Sequence, residues 1–185
     1  MRRVEIRERV AGDLPQLVEV LTAQQPFTGY PQRWPLPFPV EQFVMRPTEE
    51  AAWVAVEGER VLGHVAVTRV EEGPEVPIWE SGSGRPAQEL AVVAVLFVDH
   101  AASGRGVGSL LLQRAVEYIR QSGRVPVLDV VQEGGRAASL YRRRGWQEVG
   151  QARPWWLPAD HRPVLLMVLP EPARVEATAR HRSAG

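Results

Sequence analysis

The sequence contains no cysteine, no lysine and no asparagine, and the first two absences each exclude a kind of chemistry. Without cysteine the chain has no thiolate nucleophile and no disulfide. Without lysine it forms no Schiff base, and a Walker-type phosphate loop would lack its required side chain. All 22 basic residues are therefore arginines. Any anion binding has to rely on arginine side chains or on backbone amides.

The sequence also lacks a net charge and a long apolar run. Its 22 arginines are balanced by 22 acidic residues, so no overall field directs it to nucleic acid or to an anionic membrane. No segment approaches the ~20 apolar residues needed to cross a bilayer. The first residues alternate charged and aliphatic side chains instead of forming a signal peptide. We therefore expect a cytoplasmic protein with no nucleic-acid or membrane partner.

The spacing of apolar residues predicts the order of secondary structure elements. Strands are expected at residues 3–10, 51–57, 60–70, 90–98, 125–131, 146–150 and 164–169, and helices at 13–25, 106–122 and 136–144. The run LAVVAVLFV at 90–98 is apolar throughout, which is typical of a strand buried on both faces. Gly58 suits a tight hairpin turn between the second and third strands. Residues 71–88, rich in Gly, Pro, Ser and Glu, are expected to be a long connection.

The first predicted helix has recognisable start and stop signals. Asp13 can cap its N-terminus, Gln16 occupies the capping-box position, and the helix is expected to stop near Pro26. The segment Pro26–Pro39 then contains five prolines among several aromatic residues, which predicts a stiff loop. This loop is either a wall of a substrate pocket or an ordinary loop covering one end of the core.

A glycine-rich turn, SGRGVG from Ser103, follows the most apolar strand and leads into a helix. The first turn of a helix leaves backbone N–H groups without partners, and glycine lets the backbone approach an anion closely. The turn therefore predicts a phosphate site. A dinucleotide fingerprint would need a third glycine where Ser109 stands, and a Walker loop would need Gly-Lys-Ser/Thr. Neither common nucleotide motif matches.

Two segments resemble the signatures of the GNAT (GCN5-related N-acetyltransferase) family. The segment LFVDHAASGRGVGSLLLQRAV, from Leu96, is similar to a hydrophobic strand followed by Gln/Arg-x-x-Gly-x-Gly/Ala at the start of a helix. The segment GGRAASLYRRRGW, from Gly134, is similar to Asn-x-x-Ala-x-x-Leu-Tyr on a later helix, ended by basic residues and Gly-aromatic. The two segments occur in the order that the family has.

This resemblance implies an α/β (α+β) acyl-CoA N-acyltransferase fold: a mixed, mostly antiparallel sheet of six to seven strands, splayed at its middle strands, with helices on both faces. It implies transfer of an acetyl group from acetyl-CoA, the cosubstrate, to a primary amine by direct attack in a ternary complex. The acceptor would be a small molecule or a peptide. We expect one such domain over residues 1–170 and a flexible tail over 171–185.

The resemblance also implies where acetyl-CoA binds. The main chain of Leu96–Val98 would pair with the pantetheine arm, and amides from Gly104 to Ser109 would hold the pyrophosphate. The cofactor contacts expected on this basis are Leu96, Phe97, Val98, Gly104, Arg105, Gly106, Val107, Gly108, Ser109 and Arg136. Two positions depart from the family pattern, because Ser103 stands in place of Gln or Arg and Gly134 in place of Asn. Arg105 or Arg136 could provide the missing charge.

Tyr141 and Asp129 are the candidate catalytic residues. Tyr141 stands where the family's tyrosine protonates the departing sulfur. Asp129 interrupts the apolar strand VPVLDVV, and a buried carboxyl needs a partner or a raised pKa, which a general base also requires. Other candidate bases are Glu89, Glu133 and His64, although a histidine inside a strand is more often structural.

Several alternatives stay open from the sequence. The chain could be a catalytically silent acyl-CoA-binding or interaction module on the same fold. The run Arg142–Arg144 could bind RNA or the 3′-phosphate of coenzyme A, or simply stabilise a helix end. Acceptor contacts are sought at Phe27, Tyr30, Trp34 and Trp155. We name no metal site, and we leave open a homodimer.

Overall fold

The computed structural model describes residues 3–132 and 136–172. Its strands are β1 (Glu5–Glu8), β2 (Glu49–Glu57), β3 (Arg60–Thr68), β4 (Leu90–Val98), β5 (Val125–Val130), β6 (Gln147–Ala152) and β7 (Val164–Val168). They form one seven-stranded sheet in the order β1-β2-β3-β4-β5-β7-β6. Among these strands only β4 and β5 pair in parallel, and every other pair is antiparallel. The predicted mixed, mostly antiparallel sheet is confirmed.

The helices are α1 (Leu14–Thr28), α2 (Val40–Val44), α3 (Val76–Ser83), α4 (Val107–Gln121) and α5 (Arg136–Arg143). They cover both faces of the sheet, as predicted. On one face α4 buries Leu111, Ala115 and Ile119 against the centre of the sheet. On the opposite face, α1 and α2 pack over β2–β4, and α3 packs over β5 and β7. Because strand residues alternate between faces, β4 contributes to the cores on both sides.

The hairpin between β2 and β3 follows the sequence prediction. Glu57 pairs with Arg60, which leaves a two-residue loop, and Gly58 has the left-handed φ of 65° that this tight turn requires. The strands β4 and β5 also lie where their apolar runs predicted them. The first strand is shorter than expected, because only Glu5–Glu8 pairs with β2.

The start and end of α1 differ from the prediction. Asp13 precedes the helix but does not cap it, because its carboxylate accepts two hydrogen bonds from Arg7 (2.7 and 2.8 Å) and one from the Val10 amide. Gln16 bonds the β2–β3 turn instead of closing a capping box. The helix also continues through Pro26 and ends at Gly29, whose φ is 70°. The irregular loop is therefore Gly29–Pro39.

Two short helices were missed by the sequence prediction. Residues 71–88 were expected to be a connection, yet they contain α3, and α2 directly follows the proline-rich loop. Pro77 lies in the first turn of α3 and Gly84 ends it with a φ of 69°, so its prolines and glycines mark its ends. Trp79 stabilises α3 by packing on β5, where its indole N–H donates to the Leu128 carbonyl (3.3 Å).

Helix α5 buries Ala138 and leaves its neighbour Ala137 exposed. The expected tail falls almost entirely outside the described residues, as do Glu133 and Gly134. No helix of residues 3–132 and 136–172 is both long and apolar enough to span a membrane.

Candidate active site

A gap opens between β4 and β5 in the middle of the sheet. The two strands pair only from Leu90 with Val125 to Val92 with Val127. Beyond these pairs, β4 continues to Val98 and β5 to Val130 without pairing to each other. The predicted splaying of the middle strands is therefore present.

The backbone of β4 turns two amides toward this gap. The Asp99 amide donates to the Leu62 carbonyl of β3 (2.7 Å), and His64 pairs with Phe97 in the same register. Backbone N–H and C=O groups alternate in direction along a strand. The N–H of Phe97 therefore points toward β3, whereas the N–H groups of Leu96 and Val98 point away from it. The unpaired amides of Leu96 and Val98 therefore point to the gap, on the side where the family resemblance implies that the pantetheine arm pairs with β4.

A β-bulge precedes these amides. Ala66 of β3 pairs with Ala94, but His64 pairs with Phe97, so β4 contains one extra residue at this point. Within the bulge Val95 has a φ of 52°, and it is the one non-glycine residue with a positive φ in the described parts of the chain. A β-branched residue in this conformation costs roughly 1–3 kcal/mol and persists only where its surroundings hold it.

The glycine-rich turn lies directly beyond the gap end of β4. Gly104 and Gly106 have left-handed φ values of 78° and 79°, and a Cβ added at either would meet no atom within 4 Å. Glycine is therefore needed for the backbone conformation and not for space. Helix α4 starts at Val107, whose buried side chain anchors the turn, and the amides of its first turn have no partners within the helix. This arrangement suits an anion.

The arginines near this turn have different partners. Arg105 forms an ion pair with Glu57 (2.6 Å), so its charge is already compensated, and Arg136 lies exposed at the start of α5. Arg144, which the sequence did not single out for this position, donates to the Ser109 hydroxyl in the first turn of α4. Ser103 is exposed. Arg144 is thus the arginine whose guanidinium lies beside the first turn of α4.

Tyr141 projects from α5 against the face of the sheet covered by α4. Its ring packs edge-to-face on Trp146, with 5.8 Å between ring centroids, and joins the main hydrophobic core. Burial, together with the negative charge of Asp129, raises the pKa of Tyr141 to about 12. The phenol is therefore protonated at neutral pH, and it lies close enough to the β5 carboxyl for their charges to interact.

Asp129 lies on β5 beyond its last pair with β4. Its side chain shares a strand face with Val125 and Val127, the face covered by α3. Burial, with a smaller contribution from Glu75 just before α3, raises the pKa of Asp129 to about 6. No arginine or histidine of the described residues forms an ion pair with it.

The proline-rich loop brings Tyr30 close to Asp129 and Tyr141. The Tyr30 ring packs edge-to-face on Phe43 of α2 (5.7 Å between centroids), and the Arg46 guanidinium lies 4.5 Å above the Phe43 ring. Burial raises the pKa of Tyr30; the charges of Asp129 and Tyr141 raise it further, and that of Arg46 lowers it. Arg46 and Phe43 were missed from the sequence because α2 was not predicted. The sequence signal that could have indicated them is the aromatic, proline-rich loop followed a few residues later by Phe43 and Arg46.

The remaining candidate residues are dispersed. Phe27 is exposed at the end of α1, where it stacks on His100 (3.6 Å between centroids). Trp34 is half-buried in the loop, whereas Trp155 is 87% exposed. Glu89 pairs with Arg85 (2.6 Å) and precedes β4, so it lies at the opposite end of that strand from the gap.

His64, the remaining alternative base, is fully buried in β3 and both of its ring nitrogens have partners. Nδ1 lies 2.8 Å from the Val95 carbonyl, and Nε2 lies 3.0 Å from an Arg9 guanidinium nitrogen. The carbonyl can only accept and the guanidinium can only donate, so the ring is neutral with its proton on Nδ1. Burial lowers the pKa of His64 to about 4, and the Arg9 charge acts in the same direction.

Comparison with known families agrees with this geometry. Residues 14–146 match the model of the Acetyltransferase (GNAT) family, which spans the proline-rich loop, the bulged strand, the glycine-rich turn and α5. The chain belongs to the GNAT family of acetyltransferases.

Individual relatives of this acetyltransferase are named as N-acetyltransferases. The chain is 25% identical over 154 residues to a phosphinothricin N-acetyltransferase of Streptomyces coelicolor, a match that covers 81% of this chain and 85% of the relative. It is 35% identical over 69 residues to an uncharacterized N-acetyltransferase of Methanocaldococcus jannaschii. That second match covers 37% of this chain and spans only 30% of the archaeal protein.

The fold of this acetyltransferase is shared by solved structures. One is the PaiA N-acetyltransferase of Thermoplasma acidophilum in complex with coenzyme A, with a TM-score of 0.63 and 13% identity. The similarity covers 91% of this chain and 99% of the other. The family match supports acetyl transfer in general, with acetyl-CoA as donor and amine-bearing acceptors.

Proposed function

We propose that this chain transfers an acetyl group from acetyl-CoA to a primary amine by direct attack in a ternary complex at the gap between β4 and β5. The observation that carries the proposal is the convergence of three features on this gap. The amides of Leu96 and Val98 point into it. The Asp129 carboxyl and the Tyr141 phenol lie close enough to influence each other's pKa.

The residues around the gap fit the donor. Leu96 and Val98 offer unpaired main-chain groups along which a pantetheine arm can add as a strand. The amides of Gly104–Ser109, at the start of α4, offer donors to a pyrophosphate. When bound, the donor supplies an activated thioester. An amide of Leu96 or Val98 can then stabilise charge that develops on the carbonyl oxygen.

Arg144 compensates for the missing basic residue at Ser103. Arg105, the first alternative from the sequence, is paired with Glu57. Arg144 contacts the Ser109 hydroxyl, and no carboxylate of the described residues forms an ion pair with it. A guanidinium in this position adds positive charge to the amides that surround the pyrophosphate.

Asp129 and Tyr141 have pKa values suited to opposite proton transfers. A carboxyl with a pKa of about 6 is mostly ionised at neutral pH and can accept a proton from the attacking amine. A phenol with a pKa of about 12 is protonated and can donate to the departing sulfur. The C–N bond forms as the C–S bond breaks. Asp129 gains one proton and Tyr141 loses one, so exchange with water restores both.

The acceptor binds on the side of the gap covered by the proline-rich loop. Tyr30 supports this assignment, because its pKa responds to the charges of both Asp129 and Tyr141. Its ring also packs on Phe43, beside Arg46. Trp155 and Phe27 are both too exposed to form the inner wall.

The first test is turnover with Tyr141→Phe. Release of free thiol is measured with acetyl-CoA and a panel of amino acids, polyamines, aminoglycosides and peptide N-termini. Loss of a positioned acid is expected to lower kcat by about 10²–10⁴-fold for any amine that supports turnover. Binding of coenzyme A, measured by calorimetry, should stay within about threefold. Tyr118→Phe is the control, because Tyr118 packs on Trp53 at α4, away from the gap.

If coenzyme A binds, no amine gives turnover and Tyr141→Phe changes nothing, the chain is a silent acyl-CoA-binding module. A kcat of Tyr141→Phe equal to that of the unaltered protein would remove Tyr141 from the mechanism while leaving the acetyl transfer in place.

The second test is the effect of Arg144→Ala on the donor. Loss of one charge-assisted contact to a phosphate is expected to raise KM for acetyl-CoA roughly tenfold, with kcat little changed. Arg143→Ala is the matched control, since Arg143 is an exposed arginine one residue earlier. The difference between the two variants should shrink at high salt. Equal KM values for the two variants would contradict the role of Arg144.

A further inference from the structure

The bulge in β4 determines which amides reach the gap. If β4 had no extra residue at Val95, the register of Ala94 with Ala66 would continue, and the groups beyond it would exchange directions. Leu96 and Val98 would then face β3, and Phe97 would face the gap. The orientation of the candidate oxyanion amides therefore depends on holding Val95 at its φ of 52°.

His64 makes the side-chain hydrogen bond that holds the bulge. Its Nδ1–H donates to the Val95 carbonyl (2.8 Å), and its ring lies 5.5 Å from that of Phe97, just beyond the bulge. The ring is fully buried, so water does not compete for its hydrogen bonds. The His64 side chain therefore links β3 to Val95, the strained residue of β4.

Arg9 and Glu49 fix the other side of the His64 ring. An Arg9 guanidinium nitrogen donates to Nε2 (3.0 Å), which keeps the proton on Nδ1. Arg9 is itself held by both carboxylate oxygens of Glu49 (2.5 and 2.9 Å) and by a longer contact to the Val44 carbonyl (3.4 Å). The side chains of Arg9 and Glu49 are only 11% and 16% exposed. A continuous hydrogen-bonded chain thus runs from Glu49 to the bulge.

We propose that His64 is a positioning residue for acetyl transfer: held by Arg9 and Glu49, it fixes the Val95 bulge and thereby turns the Leu96 and Val98 amides toward the thioester. The role of His64 in catalysis rests on the function proposed above. Its role in fixing the bulge does not rest on that function, because the bulge is present in the chain without any ligand. Nothing in this assignment requires His64 to touch a substrate.

The experiment compares His64→Leu with His64→Asn. Leucine removes both hydrogen bonds, whereas the asparagine amide can still donate to the Val95 carbonyl in the place of Nδ1. We expect His64→Leu to lower kcat by about 10–100-fold and to raise KM for acetyl-CoA by a smaller factor, because the Leu96 and Val98 amides also pair with the pantetheine arm but stabilise charge mainly in the transition state. His64→Asn should recover most of kcat. Arg9→Met, which leaves the donor in place, should have an intermediate effect.

Val67→Ala is the control for general loss of stability. Val67 is a fully buried residue of the same strand, and its truncation lowers the melting temperature without altering a contact of the bulge. All variants are assayed well below their melting temperatures. A full kcat for His64→Leu, or an equal loss of kcat for Val67→Ala at a similar melting temperature, would overturn the positioning role.

A second measurement separates this proposal from the proposed function. Backbone amide chemical shifts of Val95–Val98 are recorded by NMR without any ligand. Large changes in His64→Leu, recovered in His64→Asn, are expected. If the unaltered protein turns over no amine, the proposed function fails, and these shifts alone decide the role of His64 in the bulge. Unchanged shifts in His64→Leu would overturn it.

Discussion

His64 in β3 is fully buried and Asp129 in β5 is half-buried. Both are titratable, but they differ in whether their side chains have partners. Burial is the main cause of both pKa shifts, lowering that of His64 to about 4 and raising that of Asp129 to about 6. His64 has a partner at each ring nitrogen. Asp129 has no ion-pair partner among the described residues. A perturbed pKa therefore does not by itself identify a catalytic group.

The difference lies in what each shift costs the folded protein. His64 is neutral and hydrogen-bonded at both ring nitrogens. Its lowered pKa costs little free energy of folding at neutral pH, since histidine is also mostly neutral in the unfolded chain. Asp129 is ionised at neutral pH in both states but is desolvated only in the folded one. Its raised pKa means that ionised Asp129 lowers the free energy of unfolding at neutral pH. A residue retained despite this penalty is the better candidate for chemistry.

The largest expected effect comes from Asp129→Asn. Without the base, kcat/KM should fall by about 10²–10⁴-fold. The same change should raise the free energy of unfolding at pH 8 by about 1–3 kcal/mol, because asparagine stays neutral where the aspartate must be ionised. Activity and urea unfolding are measured on the same samples.

Glu19→Gln, on the exposed side of α1, is the control and should change neither quantity. If Asp129→Asn loses activity and also destabilises the protein, Asp129 resembles His64 in having a structural role, and the contrast between the two residues disappears.

A smaller effect is expected in the pH dependence of stability. The pKa of His64 in the folded protein, about 4, lies below its ordinary value of 6.5, so the unfolded chain binds more protons between these two pH values. Stability should therefore fall by up to about 3 kcal/mol as the pH drops from about 6.5 to about 4. Asp129 opposes this trend, because its folded pKa is raised, and its contribution to stability grows as the pH falls through about 6.

The two contributions are separated by comparing Asp129→Asn with the double variant Asp129→Asn/His64→Asn in urea titrations at several pH values. The single variant should lose stability on acidification between these limits, and the double variant should lose about 3 kcal/mol less over the same window. Parallel pH profiles would show that His64 does not titrate as its buried, Arg9-bonded environment requires.

Much of the architecture was predictable because it is encoded by local patterns. The apolar run of β4, the glycine pair of the turn and the amphipathic face of α4 each determine their own backbone conformation and burial. The short helices α2 and α3 were not predictable in the same way, since α2 has only five residues and the eight residues of α3 include a proline and a glycine, so neither has much intrinsic helicity. Packing on the sheet stabilises them.

The candidate site was predictable in part. Tyr141 and Asp129 could be named from the sequence, and both lie at the gap. Arg46 and Glu75 could not, because each reaches the site from an element whose position depends on distant contacts. Arg144 could be named only as part of an arginine run, without its contact to Ser109 in the first turn of α4. His64 could be predicted as structural, but its partners could not. The pairing of Arg9 with Glu49, forty residues away, is one such distant contact.

Composition, periodicity and the two family-like segments were sufficient to predict the fold class, a candidate phosphate site at the glycine-rich turn and acetyl transfer in general, because each prediction depends on neighbouring residues. The direction of the Leu96 and Val98 amides, the pKa values of Asp129 and Tyr141 and the arginine beside the turn arise only in the folded chain. Strand register, desolvation and charge proximity are set by residues far apart in sequence, and only their packing brings them together.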